Sequence, residues 1–123
     1  MSEPLVFVSH FRVREGKLED FRREFELVVR ELEGDKPGTL FYAAYLNEDE
    51  TKLTIFHVFG DAAGMDAHFV GAEARSTNAY QMIEPAKAEI FGRPSAGALT
   101  MLEEMAAELS PEHLGGFMRL EAS

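Results

Sequence analysis

The sequence contains no cysteine. That excludes a disulfide framework, a cysteine-based zinc site and a thiol nucleophile, and it suits a reducing compartment. Basic residues are also scarce, with 12 Lys and Arg against 22 Asp and Glu for a net charge of −10. The sign is wrong for a phosphate backbone or an anionic lipid surface, so neither nucleic acid nor membrane is expected as a partner. No apolar run approaches the roughly 20 residues that a membrane span requires. The opening "MSEPLVFVSH" has neither the basic region nor the long apolar stretch of a secretory leader. The expectation is a soluble, cytoplasmic protein. There are no repeats and no dividing linker, so residues 1–123 are expected to form one domain, with a core over roughly 5–72 and a C-terminal extension over 73–123.

What is present is hydrophobic periodicity. Residues 5–13, "LVFVSHFRV", are rich in Val and Phe on both alternating sets, which predicts a strand buried on both faces for most of its length. In the following "EGKLEDFRREFELVVRELEG", Leu18, Phe21, Phe25, Val28, Val29 and Leu32 recur at three- and four-residue steps. This spacing predicts a helix that Gly34 stops, with a solvated charged outer face. "TLFYAAYL" (39–46) and "KLTIFHVF" (52–59) read as two strands joined by the acidic turn "NEDET". A second helix begins after Asp61, whose short carboxylate suits an N-cap, and Ala62, Met65, Phe69 and Ala72 form its apolar stripe. "EARSTNAYQMIE" extends or restarts that helix up to Pro85, and "KAEIF" alternates like a short strand. Leu99, Leu102, Met105, Ala106 and Leu109 predict a helix over 97–109 that Ser110-Pro111 ends, and Phe117, Met118 and Leu120 suggest a last strand.

The order β-α-β-β-α with a late strand predicts an α+β fold of the ferredoxin-like, split-βαβ type, with an antiparallel sheet and an extra C-terminal helix inserted before the closing strand. In this topology both helices cover one sheet face. Yet Leu5, Phe7 and Phe11 stand opposite Val6 and Val8, Leu40 and Tyr42 opposite Phe41 and Tyr45, and Leu53 and Ile55 opposite Phe56 and Val58. The second apolar face needs a cover, and a partner chain related by twofold symmetry is the usual solution. A homodimer is expected, and a monodisperse monomer at micromolar concentration would contradict it.

The pattern "FRVREGKLEDF" (11–21), "PGTLFY" (37–42) and "FHVFGDAAGMDAH" (56–68) resembles the antibiotic biosynthesis monooxygenase-like family of dimeric α/β barrels. In that family a strand feeds a helix start of the form x-G-x-x-x-x-F, a Pro-Gly turn precedes strand two, and a strand-Asp-Ala-helix segment ends in His. The resemblance implies a homodimer with one pocket per subunit, lined by the sheet and the helices on it. Some members oxidise quinols or anthrone-like polyphenols with O2 and no cofactor, and others cleave haem with an Asn, Trp and His set. This chain has no Trp, and Phe59 stands where the strand-end Trp is expected.

His68, at the edge of the second helix's apolar stripe, is the candidate catalytic residue, since an imidazole can help a phenol lose its proton near working pH. The plainer reading is a partly buried histidine bonded to a carbonyl or carboxylate. His10, Tyr42, His57, Phe59, Met65 and Tyr80 are the candidate lining residues for a flat aromatic ligand, although rings in such numbers also make an ordinary core. His10 and His57 form a polar pair only if strand register puts them on one face. Arg12 and Arg75 are candidates for orienting an anionic group, or for plain exposed ion pairs. The four histidines lack short metal-binding spacing, so no metal is expected, and no P-loop or dinucleotide fingerprint appears; that no other cofactor is needed is what the resemblance implies. The functional expectation is a cofactor-independent oxygenase acting on a small quinol-type compound. The alternative is a non-catalytic dimeric binding or structural protein, favoured if Phe59, Tyr42 and Met65 fill the pocket.

Overall fold

The computed structural model describes residues 3–119. Strand β1 (Leu5–Val13) leads through a turn at Gly16 into helix α1 (Leu18–Asp35), and β2 (Thr39–Leu46) and β3 (Lys52–Phe59) form the hairpin. Two short helices follow, α2 (Ala62–Phe69) and α3 (Ala72–Ala79), then β4 (Ile83–Phe91), α4 (Ala96–Glu104) and β5 (Glu108–Ser110). The five strands lie in the order β2-β3-β1-β4-β5, antiparallel except for the last pair. Strands β1 and β2 each pair antiparallel with β3, so they run parallel with β3 between them. That is the split-βαβ, ferredoxin-like arrangement.

The first three strands have the boundaries that their alternation predicts. Helix α1 continues through Gly34, contrary to the expected stop, and the following Lys36-Pro37 ends it. A residue before proline is pushed out of the helical region, and Lys36 sits at φ −125° and ψ 73° with its N–H still donating to the Leu32 carbonyl. Asp61 caps α2 as predicted, its side chain accepting a hydrogen bond from the Gly64 N–H at 2.8 Å. The helix then breaks at Val70-Gly71, where Gly71 adopts φ 84°, and restarts as α3.

The C-terminal part corrects the sequence reading. The strand that closes the ferredoxin-like sheet is β4, which begins four residues before "KAEIF" and pairs with β1 along its whole length. Pro85 is tolerated because the β1–β4 ladder is irregular there, with a register shift between His10 and Phe11. The extra helix therefore follows the strand that closes the ferredoxin-like sheet, and, as expected, it precedes the last strand among the described residues, β5. It ends at Glu104 rather than 109, because Ala106 turns to φ 56° and sends the chain back as the edge strand β5. Residues 117–119 form no strand, and Leu120 lies outside the described residues.

All four helices pack on the same sheet face. Phe21 of α1 packs with Leu53, Ile55 and Ile83, and Ala79 of α3 lies against that cluster. Met65 of α2 and Leu102 of α4, both fully buried, pack with Leu5, Phe7, Phe59 and Ile90. The sheet residues among these share one side of the pleat. The other face carries Val6, Val8, Phe56, Val58 and Phe91, with Phe41 and Tyr45 of β2 46% and 57% exposed.

Candidate functional site

Between the helix layer and the sheet lies a cavity of about 440 Å³. Its existence follows from side-chain size. Ser9 of β1, flanked in register by Ile55 and Ala88, leaves the floor low, and Ala72, Ser76 and Ala79 of α3 leave the roof high. Rings supply the walls: Phe7, Phe11, Phe25, Tyr42 and Phe69, with the half-exposed Tyr80 also in the lining.

One end of the cavity is polar. Strand alternation puts His57 on the helix face of β3, beside Phe7 and Tyr42 on the neighbouring strands. On α2, Met65 faces the core and His68, three residues later, falls on the same side. The two imidazoles meet edge to face at 5.2 Å, and the Tyr42 ring is 5.1 Å from one and 5.7 Å from the other. His57 and His68 are 7% and 3% exposed, so both rings are essentially removed from water. His68 Nδ1 shares a 2.8 Å hydrogen bond with the Thr39 hydroxyl, in place of the carbonyl or carboxylate that the plainer reading supposed. His57 Nδ1 lies 3.0 Å from the Phe7 carbonyl oxygen. A carbonyl only accepts, so Nδ1 carries the hydrogen and Nε2 of the neutral ring holds the lone pair.

Two cations act on this end: Arg75, which lines the cavity, and Lys36, whose Nζ donates to the Val70 carbonyl at 3.4 Å. The Arg75 guanidinium donates to the His68 carbonyl at 2.7 Å and to the Val70 carbonyl at 3.5 Å, where the C-terminus of α2 welcomes positive charge. Burial pulls the His68 pKa down to about 3, helped by His57, Arg75 and Lys36. His57 is pulled down to about 4, chiefly by burial, with its bond to Phe7 opposing and Arg75 assisting. Burial pushes the Tyr42 phenol up to about 12 against the opposite pull of Arg75. At neutral pH the end therefore presents two neutral imidazoles, a neutral phenol and one guanidinium.

These shifts predict acid lability. Each histidine binds its proton more weakly in the fold than in the unfolded chain, so the unfolded state gains protons first as pH falls below about 6.5. The stability these rings contribute is present above that pH and is lost as pH falls toward their folded values near 4 and 3. Each imidazole is expected to remove up to about 1.4 kcal/mol per pH unit, the slope steepening as pH falls below about 6. Urea midpoints at pH 7, 6 and 5 check this, and a flat profile would contradict it.

Of the sequence-predicted residues, His57, His68, Tyr42 and Tyr80 all line the cavity. His10 contributes to the wall, but its ring nitrogens are committed to Glu89 at 2.7 Å and Thr54 at 3.3 Å on the opposite face, so it does not pair with His57. Phe59 and Met65, expected to line or block the pocket, lie outside it. They are fully buried beneath α4, in the cluster with Leu102. Sequence reading missed Ser9 and Thr39. Thr39 meets His68 from 29 residues away, and no local pattern announces such a pairing. Among the described residues no three His, Asp or Glu side chains converge as a metal site, and no helix is long and apolar enough to cross a membrane.

Residues 4–80 match the family model described as antibiotic biosynthesis monooxygenase. No curated protein matches the chain in sequence. Among solved structures, MupZ from Pseudomonas fluorescens is similar at a TM-score of 0.81 and 21% identity, covering 96% of each chain. SnoaB, a cofactor-independent oxygenase from Streptomyces nogalater, is similar at a TM-score of 0.64 and 15% identity, over 77% of this chain and 97% of its own. Rv0793 from Mycobacterium tuberculosis is similar at 0.63 and 14%, over 76% and 97%. At these identities the likeness is one of fold.

Proposed function

The chain belongs to the antibiotic biosynthesis monooxygenase family, and from that premise we propose that it is a cytoplasmic, cofactor-independent oxygenase of a small quinol-type aromatic compound, acting as a homodimer through its open sheet face. The observation that carries this reading is the ring-walled cavity of about 440 Å³ whose polar end holds Tyr42, His57, His68 and Arg75. The description of SnoaB as a cofactor-independent oxygenase is consistent with it.

In the proposed reaction the phenol of the substrate passes its proton to His68 Nε2 while Nδ1–H donates to Thr39. The low basicity of His68 in the empty site opposes this step. The phenolate formed beside it favours the imidazolium, and Arg75 stabilises the phenolate. The phenolate then gives an electron to O2, the radical pair joins at a ring carbon as a peroxide that takes the proton back from His68, and loss of that carbon's hydrogen with the outer oxygen as water leaves the quinone. One oxygen atom stays on carbon, the other leaves as water, and the substrate supplies all four electrons. The cavity contributes desolvation and orientation.

The test is oxygen uptake by metal-free protein with quinols, anthrones and flavonols, against heat-killed protein. Uptake is expected with a phenolic substrate, and His68→Ala is expected to lower it about 100-fold. Uptake unchanged in that variant removes the assigned role. The second reading, a binding protein using the same cavity, is favoured by the weak basicity of both imidazoles, and ligand retention without oxygen uptake would select it.

A further inference from the structure

Ser9 and His57 stand out on the cavity floor. Both are 7% exposed, both line the cavity, and each brings a polar atom without a protein partner among the described residues. Among the described residues Ser9 Oγ has no hydrogen-bond partner, and no side-chain polar atom fully sealed from solvent lacks one, so this hydroxyl opens onto the cavity. On His57 the bond to the Phe7 carbonyl uses Nδ1 and leaves Nε2 as an acceptor. Phe7 is directly opposite His57 and Ser9 opposite Ile55, so Ser9 and His57 are diagonal neighbours on adjacent strands of one face. Such neighbours are about 7 Å apart at the backbone, close enough for both side chains to meet one edge of a ring.

A lone pair and a hydroxyl that open onto the cavity without a protein partner are free to pair with a ligand that enters it. We propose that Ser9 and His57 form a hydroxyl-reading subsite, in which an O–H on the ligand's ring edge donates to His57 Nε2 and its oxygen accepts from Ser9 Oγ. The subsite selects hydroxylated aromatics over their ethers and over unsubstituted rings. Arg75, held at the C-terminus of α2, is left to face developing negative charge. The inference rests on the cavity being the ligand site, but not on the ligand being oxidised.

Equilibrium titration with naphthol and methoxynaphthalene tests it, because the ether keeps the ring and the acceptor oxygen but lacks the donor. The wild-type protein is expected to bind naphthol about tenfold more tightly. Ser9→Ala, a change too small to disturb the strand, is expected to shrink that preference severalfold, and His57→Phe to abolish it. Nitrogen NMR adds a readout on the folded wild type: naphthol should shift the His57 Nε2 resonance, and the ether should not. Equal affinity for the two probes, or no binding of either up to millimolar concentration, overturns the subsite. Preference for naphthol without oxygen uptake on any phenol would leave the subsite standing and remove the oxygenase reading. Uptake without the preference would do the reverse.

Discussion

Gly64→Ala is expected to lower the melting temperature by on the order of 10 °C, although alanine is the better helix former. A Cβ at Gly64 would stand 2.9 Å from the Gly38 carbonyl oxygen, and one at Gly38 would stand 2.8 Å from the Gly64 Cα. Both obstacles are backbone, which cannot swing aside, so α2 must move off the turn that precedes β2. Overpacking of this kind costs about 3 kcal/mol. The displacement also reaches the site. Thr39 follows Gly38 by one residue and His68 follows Gly64 by four, so the glycine contact sets the 2.8 Å bond between Thr39 and His68. A fall in stability should come with a change in the His68 ring environment by NMR. Gly97→Ala is the control, since a Cβ there meets nothing within 4 Å. It should raise stability by about 0.5–1 kcal/mol. A melting temperature for Gly64→Ala within a degree of the wild type would show that the two backbones separate freely.

Arg75→Met should cost turnover of a phenolic substrate about 100-fold or more, the scale on which a preorganised charge stabilises a developing oxyanion. The same substitution has a consequence that needs no substrate. Arg75 depresses the pKa of His57 and of His68, so its removal should raise both. Proton NMR titration of the ring protons would record this. Arg75→Lys keeps the charge but loses the fork that spans the His68 and Val70 carbonyls, so its histidines should titrate closer to wild type while turnover still falls. Histidines that titrate unchanged in Arg75→Met would show that the guanidinium does not act on this end of the cavity.

Much of this protein could be read along the chain because the signals concerned are local. The alternation in β1, β2 and β3, the three- and four-residue steps of α1 and the Asp61 cap each depend on neighbours within a few residues, and the structure retains them. So did the ferredoxin-like order and the apolarity of both faces of the first three strands, since strand periodicity assigns side chains to faces without knowing which strand lies beside which. The misreadings fall where distant contacts override local pattern. The "KAEIF" segment is half of a longer strand because β1 supplies a ladder that accommodates Pro85 at an irregularity. The predicted end of the last helix fails at Ala106 because the returning strand β5 pairs with β4.

The site divides in the same way. Periodicity along the chain put His68 at the edge of a helix's apolar stripe, and composition alone showed that rings are abundant and that cysteine chemistry is absent. Which of those groups meet is set by contacts between elements far apart in the chain. Register puts His57 in the cavity and turns His10 to the other face, small residues on β1, β4 and α3 open the cavity, and α4 buries Phe59 and Met65 beneath it. Each outcome depends on separations of tens of residues, where burial and a shared low-dielectric environment, rather than local backbone preference, decide position and charge.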